Sequence, residues 1–167
     1  MKTWFWNGMI AALIALPALN GGAWAGGSDN FGCSNATLKG RYAFGATNLI
    51  IPQVVAGIKV FDGRGHLTQR DYIGDSLRTM NKTDFAPKGQ ETGTYQVNPD
   101  CTGSMEIDLN VPNTPAPHGR IEIMFVISDG GRHIHEVVAE FTPPGATGPV
   151  PTQTSADDWK VASEEDD

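Results

Sequence analysis

The segment SMEIDLNV, residues 104–111, alternates apolar and polar side chains without a break. One face of the extended chain carries four apolar side chains, which are Met105, Ile107, Leu109 and Val111. The other face carries only polar or charged residues. Alternation with a period of two is typical of an antiparallel sheet that has one buried and one wet face. The segment therefore predicts an all-β fold.

Similar patterns lie on both sides of this segment. The alternation continues at residues 120–127, and further strands are predicted at residues 38–44, 54–61, 66–73, 76–84, 92–97 and 133–141, of which 76–84 is the weakest. Turn residues separate them, as in DGRG at residues 62–65 and NPD at residues 98–100. About eight strands joined by short turns favour a small antiparallel closed barrel with mainly up-and-down topology.

The first 25 residues have the composition of a signal peptide. Lys2 precedes a mostly apolar stretch that ends at Leu19, and Ala23-Trp24-Ala25 matches the small-x-small pattern of a cleavage site. We therefore expect a secreted or periplasmic protein. No later stretch is long and apolar enough to span a bilayer, so no membrane span is expected after cleavage.

The composition divides the remaining chain into two parts. Residues 26–142 carry the predicted barrel, and residues 143–167 are rich in Pro and Gly and then acidic. This composition predicts a disordered tail. Trp159 is the exception within it, and the sequence leaves open whether it docks on a partner or packs back on the barrel.

Net charge and cysteine content restrict the function further. The formal net charge of −7 argues against binding to nucleic acid or to anionic lipid. Cys33 and Cys101 are the only cysteines, and neither belongs to a C-x-x-C pair. In an oxidising compartment two such thiols usually pair, so we predict a single structural disulfide.

Three blocks of sequence carry a family resemblance. They are CSNATLKGRYAF at residues 33–44, FDGRG at residues 61–65 and GTYQVNPDCTG at residues 93–103. In this order they resemble a group of uncharacterised exported bacterial proteins. The resemblance implies a calycin-like barrel, similar to the allene oxide cyclase barrel, with a disulfide between the first and third blocks. It implies no activity, because similar barrels host unrelated functions.

The most suggestive chemical feature is the pair His133 and His135. Residues two apart on a strand point to the same side, and the odd-numbered positions that follow, through to Phe141, make this the more apolar side. We therefore place both imidazoles at the mouth of the barrel. Glu122 or His118 could complete a metal site there, but exposed strand-end histidines are the more common case, and we expect neither metal nor cofactor.

The sequence favours a binding module for a small apolar or amphipathic ligand. An eight-stranded barrel is just wide enough to hold one such ligand. Small residues in the first two strands could leave room inside, and they are Gly40, Ala43, Gly45, Ala46, Ala56 and Gly57. The predicted ligand-binding residues are Tyr42, Phe44, Ile123, His133 and His135.

Two other functions remain open from the sequence. One is a ligand-free envelope or surface interaction protein that uses the acidic tail and Trp159 as its contact element. The other is an isomerase or cyclase, which needs a titratable group inside the barrel. The candidates for that group are His133, His135 and Glu122. Neither the catalytic residues nor the oligomeric state can be assigned from the sequence.

Overall fold

A computed structural model describes residues 32–50, 52–75, 91–109 and 118–161. The described chain forms a closed antiparallel barrel in which every strand pairs with its neighbours in sequence and the last pairs with the first. The eight strands are β1 (Lys39–Asn48), β2 (Gln53–Asp62), β3 (His66–Asp75), β4 (Glu91–Val97), β5 (Thr102–Leu109), β6 (Gly119–Ser128), β7 (His133–Thr142) and β8 (Thr154–Lys160). The predicted closed, up-and-down barrel is thus confirmed.

Two of the sequence predictions concern residues that the structure does not describe. The signal peptide at 1–25 and the strand at 76–84 lie outside the described residues. Within the described part, the helical segments are two short 3-10 turns, Asn35–Leu38 and Asp129–Gly131. Neither approaches the length and apolarity that a helical membrane span requires.

The prediction that residues 143–167 form a disordered tail is wrong for residues 154–160. These residues form β8, which closes the barrel between β7 and β1. The sequence of β8, TSADDWK, has few apolar side chains, so its strand character is hidden. It is recruited because an open barrel would leave the edges of β1 and β7 unpaired.

One end of the barrel is tightly packed, and we call it the closed end. It contains the first residues of β1 and the turns β2–β3, β4–β5 and β6–β7. A single hydrophobic cluster fills it, with Leu38 of the first 3-10 turn fully buried at its base. The predicted disulfide between Cys33 and Cys101 is confirmed, and it ties the N-terminal segment to the β4–β5 turn. Its sequence separation of 68 corresponds to about 4 kcal/mol in the chain-entropy model.

Aromatic side chains make up the centre of this cluster. Phe61 packs edge-on against Tyr42 and against Tyr95, with ring centroids 5.3 and 5.1 Å apart. The hydroxyl of Tyr42 donates a hydrogen bond to the carbonyl of Gly131, and that of Tyr95 donates to the carbonyl of Asn35 at 3.0 Å. Both buried phenol hydroxyls therefore have hydrogen-bond partners within the closed end.

A β-bulge in β7 reverses which residues face inward. Glu122 of β6 pairs with Glu140, but the next residue, Ile123, pairs with Val138, so Ala139 is an extra residue. Even-numbered residues face inward before the bulge, and Phe141 faces inward after it. The prediction that His133 and His135 lie on the core-facing side with Phe141 is therefore wrong.

We predict that β8 is required for folding. A chain that ends at Gln153 should expose the edges of β1 and β7 and leave Lys59 without its partner Asp158, so it should aggregate or unfold. A chain that ends at Val161 keeps all of β8 and is the matched control. Far-UV circular dichroism and thermal melting compare the two. Equal melting temperatures would contradict the role assigned to β8.

Candidate functional site

A cavity of about 190 Å³ occupies the other end of the barrel, which we call the open end. At this end lie the C-terminal residues of β1, β3, β5 and β7 and the N-terminal residues of β2, β4, β6 and β8. The walls of the cavity are mainly apolar and come from seven strands and the segment after β7: Phe44, Ala46, Val55, Ile73, Leu109, Ile121, Ile123, Val138, Phe141, Pro144 and Ala156. Its polar lining residues are Asn48, Gln53, Lys59, Gln69, Asp71, Glu91, Glu136, Thr152 and Thr154.

Small residues contribute to this space less than the sequence suggests. Ala43, Gly45 and Ala56 point outward, so they do not enlarge the interior. Ala46 does line the cavity. Gly57 faces inward, but the ring of Phe44 fills the position of its missing side chain, since a Cβ there would lie 2.5 Å from Phe44 Cε1.

A buried layer of charged side chains forms the floor of the cavity. Lys59 of β2 reaches across the barrel, and its Nζ lies 2.6 and 2.5 Å from the two carboxylate oxygens of Glu136 on β7. The same Nζ lies 3.3 and 3.1 Å from the two oxygens of Asp158 on β8. All three side chains are at most 2 % exposed, and the ring of Phe44 lies 4.5 Å from the ammonium group.

The two carboxylates decide the charge state of Lys59. Burial alone would lower the pKa of Lys59, but the charges of Glu136 and Asp158 outweigh it and raise the pKa above its ordinary value. Burial, with help from the Glu136 charge, raises the pKa of Asp158, although Lys59 opposes this. Lys59 therefore remains an ammonium ion, which is a fixed positive charge and not a nucleophile.

A second group of polar side chains borders the cavity on β3 and β4. The amide nitrogen of Gln69 donates to Asp71 Oδ2 at 3.1 Å. Burial raises the pKa of Asp71 to about 6, and burial together with the nearby Asp71 raises the pKa of Glu91 to about 7. Within the described chain, Gln69 Oε1 and Glu91 Oε2 are buried and accept no hydrogen bond. These two oxygens can accept hydrogen bonds from a guest.

The predicted ligand-binding residues divide into three groups. Phe44 and Ile123 line the cavity, as the prediction requires. Tyr42 is fully buried in the cluster of the closed end and does not border the cavity. His133 and His135 lie on the outer surface of β7, away from the cavity, beside Asp157 of β8.

The other sequence candidates also lie outside the cavity. Glu122 sits on the outer face of β6, opposite Glu106 and Glu140, and His118 is exposed. Trp159 belongs to β8, where its ring stacks on His133 at 3.5 Å with planes 14° apart. Packing back on the barrel is therefore the correct alternative for Trp159, although 56 % of it remains exposed.

Sequence reasoning missed the charged and amide side chains of the interior: Lys59, Gln69, Asp71, Glu91, Glu136 and Asp158. A charged residue in a strand is normally taken to mark the wet face, and here that rule points the wrong way. One signal was available at Lys59. It shares its face with Phe61 and Val55, so the alternation itself places a lysine inside.

Comparisons with known proteins add no information to this geometry. The chain matches no family model, no curated protein and no solved structure.

The raised pKa values predict a stability that falls as pH rises. The folded protein retains protons on Glu91 and Asp71 that the unfolded chain releases near pH 4.5 and 3.8. The contribution of Glu91 to the free energy of unfolding is therefore complete below about pH 4.5 and is lost as the pH rises to about 7. The loss should be about 2–3 kcal/mol, since one pKa unit corresponds to about 1.4 kcal/mol.

Urea unfolding between pH 4.5 and 8 measures this effect. Glu91→Gln copies the protonated acid, so it should remove the part of the decline that Glu91 contributes and stabilise the protein at pH 8. Glu140→Gln, at an exposed glutamate of β7, is the matched control and should leave the pH profile unchanged. A wild-type stability that rises steadily from pH 4.5 to 7 would contradict the prediction.

Proposed function

We propose that the barrel binds a small amphipathic molecule through its open end. The observation that carries the proposal is a pair of buried acceptors, Gln69 Oε1 and Glu91 Oε2, which have no hydrogen-bond partner among the described residues and border an apolar-walled cavity. A buried polar atom without a partner costs about 1–3 kcal/mol. A ligand head group that donates hydrogen bonds to these oxygens would remove that cost, while its apolar part would lie against the walls.

The size of the cavity limits the ligand. An engineered apolar cavity of about 150 Å³ holds benzene. The present volume of about 190 Å³ therefore suits a molecule of roughly ten non-hydrogen atoms. Fatty acids, sterols and haem are too large for the described cavity.

The charges on the floor favour a cationic head group. Four carboxyl groups lie on or beside the floor of the cavity, those of Asp71, Glu91, Glu136 and Asp158. Lys59 is paired with Glu136 and Asp158, and among the described residues no cation forms an ion pair with Asp71 or Glu91. An ammonium group beside Glu91 would donate to its unpaired oxygen and would favour its ionised form. We therefore propose an amine with a short apolar body as the ligand class.

The location of the protein belongs to the same proposal. An apolar N-terminal stretch that resembles a signal peptide and a disulfide between Cys33 and Cys101 both fit an exported protein. The β-barrel also fits the calycin-like architecture that the sequence blocks resemble. We propose a secreted or periplasmic binding protein of that kind.

Titration calorimetry with three probes of equal length tests the ligand class. Hexylamine should bind at least about tenfold more tightly than hexanoate, with hexanol in between, because only the amine complements Glu91 and Asp71. The affinity for hexylamine should increase from pH 5 to 8 as these carboxyl groups ionise.

Variants separate the head-group site from the apolar walls. Glu91→Gln should lower the affinity for hexylamine about tenfold and leave the affinity for hexanol nearly unchanged. Glu140→Gln should change neither. If hexanoate binds as tightly as hexylamine, the amine class is wrong, and if no probe binds at all, the binding function is wrong.

Acid–base catalysis is a second candidate, and the carboxyl groups of Asp71 and Glu91 specifically favour it. Their pKa values of about 6 and 7 mean that near neutral pH one can be ionised while the other still holds a proton. Such a pair can remove a proton from a bound molecule at one atom and return one at another, which is the chemistry of an isomerase. These two residues replace His133, His135 and Glu122 as the candidates for this role.

Hydrogen–deuterium exchange of a small ketone tests this candidate. Cyclohexanone incubated with the protein in D₂O should exchange its α-hydrogens faster than in buffer, with a maximum between about pH 6 and 7. Glu91→Gln should abolish the acceleration, and Glu140→Gln should retain it. Exchange at the buffer rate with wild-type protein would exclude proton abstraction from this ketone.

A further inference from the structure

Three potential metal ligands converge on the outer surface of the barrel, away from the cavity. His133 and His135 lie two residues apart on β7 and share the outer face, and Asp157 lies directly opposite His135 on β8. Asp157 Oδ1 is 3.1 Å from His133 Nε2 and 2.8 Å from His135 Nδ1. The three ligand atoms all lie within 4.8 Å of one another.

These distances resemble those of a metal coordination sphere. Zinc binds imidazole nitrogen and carboxylate oxygen at about 2.0–2.2 Å, which places neighbouring ligand atoms of a tetrahedral site roughly 3.3 Å apart. The two nitrogen–oxygen distances are already slightly shorter than this. All three ligand atoms lie within 4.8 Å of one another, so rotations of these side chains could bring them onto one cation that enters from solvent.

The three side chains are also held in place. The ring of His133 is stacked on Trp159 at 3.5 Å and is largely buried. Ser128 Oγ lies 3.5 Å from the second ring nitrogen of His135, where it can orient that imidazole. Both strands belong to the closed ladder of the barrel, so the spacing of the ligands is fixed by backbone hydrogen bonds. Such preorganisation lowers the entropic cost of binding an ion.

The residues on the strands beside the three ligands are small or uncharged, so they neither crowd nor repel a cation. Asp157 pairs with Gly45 on β1, and Trp159 pairs with Ala43, so small residues lie on that side. On the β6 side, the register partners of His135 and His133 are Val126 and Ser128. The positions next to the three ligands in the ladder thus carry no positive charge, and the net charge of the chain is −7.

We propose that His133, His135 and Asp157 form a surface site for a divalent transition-metal ion of the zinc or copper type. Two nitrogen ligands and one oxygen select these ions over calcium and magnesium, which prefer oxygen alone. Three protein ligands leave at least one position for water or an exogenous ligand. Because the ligands come from β7 and β8, the ion also fastens the closing strand of the barrel. The site does not depend on ligand binding in the cavity.

Calorimetric titration of the purified chain with zinc tests the proposal. We expect one ion per chain, and we expect His135→Ala and Asp157→Asn each to weaken binding at least about tenfold. His135 is half exposed, so its replacement should not unfold the barrel. His66→Ala is the matched control, because His66 is an exposed strand histidine outside the site. The zinc affinity of this variant should equal that of the wild type.

Two further readouts distinguish this site from general surface binding. Zinc should raise the melting temperature of the wild type but not of His135→Ala, because the ion joins β7 to β8. Copper should quench the fluorescence of Trp159, which is obtained as the difference between the wild type and Trp159→Phe. Equal zinc affinity in the wild type and in His135→Ala, or no binding to the wild type, would overturn the proposal.

Discussion

The buried ion pairs of Lys59 determine how the two halves of this barrel differ. Lys59 on β2 crosses the interior to Glu136 on β7 and Asp158 on β8, so one ammonium group joins three strands. On one side of this layer the aromatic cluster fills the closed end, and on the other side the cavity begins. Removing either partner would leave charge buried without compensation, which typically costs 3–5 kcal/mol. The layer therefore also holds β8, whose inward residues include few apolar groups, in the barrel.

Burying such a layer of charged side chains carries a large desolvation cost. Well-packed apolar side chains of similar volume would often be equally stabilising or more so. Together with Asp71 and Glu91, whose raised pKa values mark them as poorly solvated, the floor holds more polar groups than folding alone requires. Polar groups concentrated at the base of an apolar-walled cavity are typical of a binding or catalytic site. The proposed ligand binding rests on this concentration of polar groups.

The fold could be predicted because its signals are local, whereas the site could not because its signals are not. Alternation in residues 104–111 and turns such as DGRG at 62–65 report on the strand that contains them, and they predicted the antiparallel barrel, while the cysteine content predicted the disulfide. The inward charges, in contrast, are stable only through partners on distant strands, as with Lys59 and Glu136. In sequence they look like residues of a wet face. For His133 and His135 the error was the reverse. Strict alternation along β7 placed them on the inward side with Phe141, but the bulge at Ala139 shifts the alternation, so both histidines face outward.

β8 shows how one strand can serve both faces of a closed sheet. Asp157 and Asp158 are adjacent, and because side chains alternate along a strand they point to opposite sides. Asp158 contacts Lys59 inside, while Asp157 contacts His133 and His135 outside. A shift of β8 by one residue would exchange the two aspartates and break both sets of contacts at once. The interior and exterior polar groups therefore specify the same register of the strand that closes the barrel. This explains how a segment with so little apolar character can occupy a unique position.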